Sequence, residues 1–481
     1  MNPEEPVPFE TRGLASSAAF PRARAATGRH ETLPEEPVSA ASGRHPTLPE
    51  EPVSAASGRH EGRPGGVPLK HERISATLAE EIAAGHLPPG AQLPAELALA
   101  RRFGVSRTTV RAALAELAQG GLIATRTGKG SFVQPRGGRR AASPEVACTM
   151  DDRALGALLG LAIGDALGMP TQLRSRDQIV DDYGPLLAGF EPAPPGHPIA
   201  AGMVAGQVTD DTEQAVILAR VLIDGGGLVD AHELARRLVA WEDDMRARGS
   251  LDLLGPSTRR ALADLLAGAD VETTGRHGDT NGAAMRITPV GIATLPGTDA
   301  VVAAVEAASR LTHNTGIAIA GASAVAAAVS TGVAGLGFDA AIEAALAAAA
   351  AGARGGRWVA GADVASRIRW AIGLVAGLED ADACDLVQRL VGTSLATQES
   401  VPAAFALWSL HPDDPWLTCR LGASVGGDCD TIAAMAGAMS GALVGPAGFP
   451  AEAVARLDAV NPGLDLPGLA AALLALRAGA R

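Results

Sequence analysis

Aromatic side chains are nearly missing from this chain: they make up 3% of its 481 residues, and Tyr183 is the single tyrosine. Alanine and leucine therefore have to fill the core, which favours helices packed closely through small side chains. Cysteine is as scarce. Cys148, Cys384, Cys419 and Cys429 show no C-x-x-C pair and no regular spacing, which argues against a disulfide framework and is consistent with reduced thiols in a cytoplasmic protein. The N-terminus lacks a basic region followed by an apolar run, so no signal peptide is expected. Residues 316–338 hold no charge and are long enough to cross a bilayer. They are mostly Ala, Gly, Ser and Val, however, which drive insertion weakly, so a buried helix and no membrane partner are expected.

The length exceeds one ordinary core and implies two or three domains. The net charge of −13 conceals a split. Residues 67–137 carry 9 basic and 5 acidic side chains, whereas 141–481 carry 22 basic and 39 acidic ones. A basic module on an otherwise acidic protein points to a polyanion partner for that module alone.

Residues 28–42 read GRHETLPEEPVSAAS, 43–57 read GRHPTLPEEPVSAAS, and the unit restarts at Gly58. Such a Pro-, Glu- and Ser-rich repeat cannot offset its ordering entropy by burial, so 1–66 are expected to be a disordered tail. His30, His45 and His60 then recur by duplication of a solvated segment. Residues 138–150 have linker composition. From 151 to 481 apolar residues recur every three or four positions, predicting helices over 151–167, 212–223, 231–246, 256–267, 299–310, 363–377 and 431–443. The expected fold is mostly α: a tail, a small α+β module at 67–137, and a large all-α domain.

Within 67–137 the sequence predicts a helix over 70–84, a non-helical run containing Pro88, Pro89, Gly90 and Pro94, a helix over 95–103, and a third helix capped by Ser106. Helix, glycine-containing turn and helix form a helix-turn-helix pattern. The third helix opens Ser106-Arg107-Thr108-Thr109-Val110-Arg111, with Val110, Leu114 and Leu117 as its inward stripe. Hydroxyls and arginines in a first turn suit phosphates and guanine edges. Strands over 122–126 and 131–134 follow, with Thr127-Gly128-Lys129-Gly130 between them as a basic wing. The elements L-P-P-G-x-x-L-P-x-E-x-x-L-A (87–100), V-S-R-T-T-V-R-x-A-L (105–114) and G-K-G-S-F-V (128–133) resemble the GntR family of bacterial transcription regulators. The resemblance implies a winged helix-turn-helix on double-stranded DNA, with Arg102, Ser106, Arg107, Thr108, Thr109, Arg111, Arg126 and Lys129 as the contacting residues. It also implies a homodimer, at the nucleoid when bound to DNA.

In the acidic part, Gly156, Gly160, Gly164 and Gly168 recur every fourth position, a spacing that lets a neighbouring helix approach closely. Thr209-Asp210-Asp211-Thr212 precedes one predicted helix, and Gly426-Gly427-Asp428-Cys429-Asp430-Thr431 opens another. Each pair alone suits helix capping. Four carboxylates gathered in one cleft would repel, which implies cations between them, and oxygen-only ligands favour Mg²⁺ or Mn²⁺ over zinc.

The motifs G-D-A-L-G (164–168), T-D-D-T (209–212), N-G-A-A-M-R (281–286) with Thr312-His313, and G-G-D-C-D-T (426–431) resemble the ADP-ribosylglycohydrolases. The resemblance implies an all-α fold holding two Mg²⁺ or Mn²⁺ ions and hydrolysis of the glycosidic bond between ADP-ribose and an acceptor, on a small molecule or a modified protein. It implies Thr209, Asp210, Asp211, Asp428, Asp430 and Thr431 as metal ligands, with the four aspartates catalytic. Asp165, Gln172, Gly282, Ala283, Ala284, Met285 and His313 would face the substrate. One departure is Gln172, where the family commonly has a glutamate; an amide cannot act as a base near neutral pH. Two functions therefore stand side by side: a hydrolase tethered to DNA, and a regulator whose hydrolase-derived domain senses a ligand without turning it over.

Overall fold

The computed structural model describes residues 70–83, 87, 91, 93–94, 96–103, 105–119, 123–126, 130–133, 148–251 and 254–479. The repeat at 28–57 and its histidines lie outside the described residues. Two compact units result, one within 1–141 and the other within 142–481.

In the smaller unit, helices Lys70–Ala83, Glu96–Phe103 and Arg107–Gln119 precede an antiparallel hairpin of Ile123–Arg126 and Gly130–Val133, with Ile123 opposite Val133. Ile74, Leu78, Leu99, Val110, Leu114, Leu117, Ile123 and Val133 are buried together, so the expected stripe of the third helix does face inward. Ser106 caps that helix, its Oγ accepting the Thr109 N–H at 3.2 Å. The proline-bordered segment before the second helix lies beside the hairpin. Leu93 N donates to Ser131 O at 2.7 Å and Val133 N to Ala91 O at 2.9 Å.

The larger unit is helical among the described residues. Helices Met150–Gly168, Asp210–Asp224, Ala231–Ala247, Pro256–Leu266, Thr298–Ser309, Val364–Val375 and Cys429–Val444 match the predicted spans within a few residues at either end. Gly316–Val333, the uncharged helix, is wholly buried. The linker expected over 138–150 ends earlier than its composition suggested. Thr149 and Asp152 form a capping box, and the Cys148 thiol reaches Val444 O at 3.3 Å, so 148–150 already belong to the helical unit.

Its centre is the contact between Met150–Gly168 and Cys429–Val444, which meet backbone to backbone. A Cβ on Gly156 would lie 2.3 Å from Gly441 O, and one on Gly160 would lie 2.0 Å from Gly437 O. One on Gly164 would lie 2.2 Å from Ala433 O. Gly437 and Gly441 return the same contact to Gly160 O and Gly156 O. The every-fourth-residue spacing is thus a seam of helix packing, and it continues into the site: Gly168 abuts the backbone of Asp430, where a Cβ would lie 2.2 Å from Asp430 Cα.

Candidate active site

The first acidic pair is held in place by a carboxylate from the glycine-rich helix. Thr209, in extended conformation (φ −109°, ψ −162°), is the N-cap of Asp210–Asp224. Its N–H and Oγ1–H donate to the buried Asp165 at 3.0 and 2.7 Å. The Thr212 N–H at 3.1 Å and the Thr212 hydroxyl complete the set. Burial raises Asp165 to about 6 while these donors favour its ionised form. Asp165, named among the expected substrate-facing residues, has both oxygens engaged by the 209–212 segment.

The second pair follows two glycines with left-handed backbone, Gly426 (φ +83°) and Gly427 (φ +70°). Leu173 N donates to Gly427 O at 2.7 Å, Gly427 N to Arg174 O at 2.8 Å, and Asp428 N to Thr393 O at 2.7 Å. The Asp428 carboxylate accepts the Asn281 side-chain N–H. The two clusters then meet: Thr431 Oγ1 donates to Asp211 Oδ1 at 3.1 Å. Asp211 Oδ2 is buried and has no hydrogen-bond partner. Burial first, and then the charges of Asp430, Asp210, Asp165 and Asp428, hold Asp211 well above the usual carboxylate range. Burial likewise raises Asp428 to about 6, against the pull of hydrogen bonds from Asn281 and Thr431.

Such a donor set, all oxygen and mutually repelling, with one buried oxygen left unpartnered, fits a hard divalent cation. Among the described residues no three His, Cys, Asp or Glu side chains converge as a ready ligand shell. The aspartates meet through Thr431 and through their charges.

Other residues expected to face substrate are buried. Gly282–Met285 is a single buried helical turn. His313 is fully buried, with Nδ1 2.8 Å from Thr312 Oγ1 and Nε2 3.0 Å from Thr280 Oγ1. Thr280 donates to Ser257 Oγ, so Nε2–H donates to Thr280, and Arg286 donates to Thr312 Oγ1. Burial, and then the charge of Arg286, lower the pKa of His313 well below the ordinary value, which favours the neutral ring. It packs against Gly282, where a Cβ would lie 2.8 Å from its Cε1. Gln172 is also buried. Its carbonyl is engaged by His197 Nε2 at 2.9 Å, and its side-chain Nε2 has no partner.

Three residues outside the expected site complete it. Asn281 links Asp428 to Ser400. The buried Arg286 holds Gln214 Oε1 at 3.2 Å, and Gln214 Nε2 donates to Asp210 Oδ2 at 2.7 Å. Asn281 and Arg286 sit in the N-G-A-A-M-R motif itself, which is the signal that marks them.

On the smaller unit, Arg107 and Arg111 are exposed on the third helix. The Ser106 and Thr109 hydroxyls bond each other at 2.9 Å within the cap. Arg102 is exposed but paired with Glu81, tying the second helix to the first. Lys129 lies outside the described residues, as do the side chains of Thr108 and Arg126.

Fold and site together define a class: a helix-turn-helix module with a hairpin wing, joined to a helical domain whose two aspartate pairs begin two helices held by a third. The chain belongs to the ADP-ribosylglycohydrolase family, whose model matches residues 147–481, and its residues 70–133 match the model of bacterial regulatory proteins, gntR family. It is 35% identical over 329 residues to the uncharacterized protein YegU of Escherichia coli K12, covering 68% of this chain and 97% of that one. It is 33% identical over 172 residues to the ADP-ribosyl-[dinitrogen reductase] glycohydrolase of Rhodospirillum rubrum, covering 34% of this chain and 53% of that one. The smaller unit is 52% identical over 63 residues to the uncharacterized HTH-type transcriptional regulator Rv0494 of Mycobacterium tuberculosis, covering 13% of this chain and 26% of that one.

Proposed function

We propose that the helical domain is a Mg²⁺- or Mn²⁺-dependent hydrolase of the glycosidic bond in ADP-ribosylated or related ribosyl compounds, and that residues 67–137 hold it on double-stranded DNA in a bacterial cytoplasm. The observation that carries the reading is the meeting of the two aspartate pairs at Asp211 and Thr431. Thr209, Asp210, Asp211, Asp428, Asp430 and Thr431 would hold two ions, as the buried unpartnered oxygen of Asp211 invites. The ions, when bound, supply positive charge that polarises ribose hydroxyls and lowers the proton affinity of a water. Asp165 fixes the Thr209–Thr212 backbone, Asn281 orients Asp428, and Arg286 acting through Gln214 orients Asp210. One of the four aspartates would take the proton of the attacking water as the sugar, oxocarbenium-like, loses its acceptor.

Release of ADP-ribose from ADP-ribosyl-arginine with Mg²⁺ or Mn²⁺ tests the reading. Wild type is expected to release it, and Asp430→Ala to lose at least about a hundred-fold in rate, roughly 2.7 kcal/mol of barrier. The second reading, a regulator that senses such a ligand, is favoured by Gln172, whose buried amide cannot accept a proton. Metal and ADP-ribose binding without release would establish it over the first.

A further inference from the structure

Beyond the carboxylates, a cavity of about 300 Å³ opens along the outer face of the Asp210–Asp224 helix, between that helix, Ala231–Ala247 and the 460–464 segment. Its volume is at the lower end of small-molecule pockets, about 300–1,000 Å³. Trp241 and Val216 supply apolar wall, and Arg220, Arg248 and Glu213 supply the charged lining. Asn461 closes the inner end, its amide holding Val208 N at 3.0 Å and Gly206 O at 2.8 Å.

The charged groups decide the ligand's sign. Glu213 is tied down by the Trp241 indole N–H. Arg220 reaches Gly463 O at 3.2 Å and Arg248 pairs with Asp244 at 2.8 Å, each with N–H donors to spare because a guanidinium carries five. Two guanidiniums against one carboxylate line the cavity, and Asp244, which pairs with Arg248, is not part of that lining, so the wall itself is net positive on a part of the chain where acids outnumber bases 39 to 22. Planar guanidiniums suit carboxylate or phosphate oxygens, and the indole suits a flat apolar body. We infer that this cavity is a second ligand site, separate from the aspartates, for a small organic anion: a flat apolar body carrying one carboxylate or phosphate monoester. Its inner wall is Val208, the residue before Thr209, so an occupant lies against the segment that carries the first aspartate pair.

The test uses the full-length protein and fluorine NMR. The probes are 4-fluorobenzoate and 4-fluorophenyl phosphate; 4-fluorobenzyl alcohol and 4-fluorobenzylamine are the neutral and cationic controls. At least one anionic probe is expected to saturate with a Kd below roughly 1 mM. Its affinity should fall at least about ten-fold in the Arg220→Ala/Arg248→Ala double variant and in Trp241→Ala. The arginines are exposed, so the double variant is expected to keep its far-ultraviolet circular dichroism. The tighter of the two anions tells carboxylate from phosphate. Absence of saturation by both anions, equal binding of either control, or unchanged affinity in the double variant would each overturn the inference; the last would send the probe to another site.

Discussion

Asp165 anchors the segment that carries the first acidic pair. Its carboxylate takes N–H and O–H donors from both Thr209 and Thr212 at zero exposure. Asp165→Asn would turn an N–H₂ toward N–H donors and strand at least one of them, a loss of about 1–3 kcal/mol in stability. Because Thr209 and its neighbours form the first cluster, Mn²⁺ affinity should fall about 10–100-fold as well. Denaturant unfolding and calorimetric Mn²⁺ titration would measure the two effects, and an unchanged Mn²⁺ affinity would mean that Asp165 does not position the cluster. At this scale the aspartates were legible in the sequence because Asp-Asp-Thr and Asp-x-Asp-Thr at helix starts are local patterns. The roles of Asp165 and His313 were not. Each depends on what lies across the fold, Thr209 for the one and the missing side chain of Gly282 for the other, and one-dimensional spacing does not contain that. The third helix of the smaller unit, Arg107–Gln119, is a further residue-scale case. Arg107 is exposed there, and Arg107→Ala should weaken specific DNA binding by about 1–3 kcal/mol if it reads a base, measured by titration of labelled duplex. Equal affinity in the variant would remove it from the interface.

Among elements, the seam between Met150–Gly168 and Cys429–Val444 sets the distance between the two acidic pairs. Gly160→Ala would place a methyl 2.0 Å from Gly437 O, a backbone atom that cannot swing aside. Forcing the helices apart is expected to cost about 1–3 kcal/mol or more and to weaken Mn²⁺ binding with it. Gly373→Ala, in Val364–Val375 with no atom within 4 Å of the new methyl, should stabilise by about 1 kcal/mol through helix propensity and leave Mn²⁺ binding alone. Thermal unfolding of the two variants beside wild type checks the contrast; similar shifts in both would mean that the seam is slack. Helix spans were largely readable because apolar periodicity and capping residues are local. The alignment of Ala91–Leu93 with the hairpin was hidden, since a segment bordered by prolines shows its pairing only once the strand arrives from 40 residues on.

On the scale of the whole molecule, the buried carboxylates tie stability to pH and metal together. Asp428 is raised to about 6 and Asp211 is raised well above its ordinary value, so without metal the folded chain binds protons there more tightly than the unfolded chain does. That contribution is fully present below the unfolded values near 4 and is lost as pH rises through about 6. Bound cations favour the ionised carboxylates, so the stabilisation they add should be greatest above pH 7 and shrink as pH falls through about 6. With free metal at a hundred times its Kd it should reach about 2.7 kcal/mol at the high-pH end. Melting curves with and without Mn²⁺ from pH 5 to 8 would show this, and a metal-induced shift of equal size at every pH would refute the link to these aspartates. The division into a basic unit and an acidic one was readable from charge alone, because solvated charge needs no fold to be counted.

Order along the chain has a further consequence. The module that ends at Val133 leaves the ribosome first, while Asp428 and Asp430 emerge roughly 300 residues later, about 15–60 s at ordinary bacterial rates. The glycine face of Met150–Gly168 spends that interval without its partner helix, and Asp211 without Asp430. A nascent chain therefore has a complete recognition helix well before it has both halves of its acidic centre. Truncation between 134 and 427 leaves a fragment that retains the gntR-family unit and lacks the second aspartate pair, so such a fragment is expected to compete with the full-length chain for any DNA that unit binds.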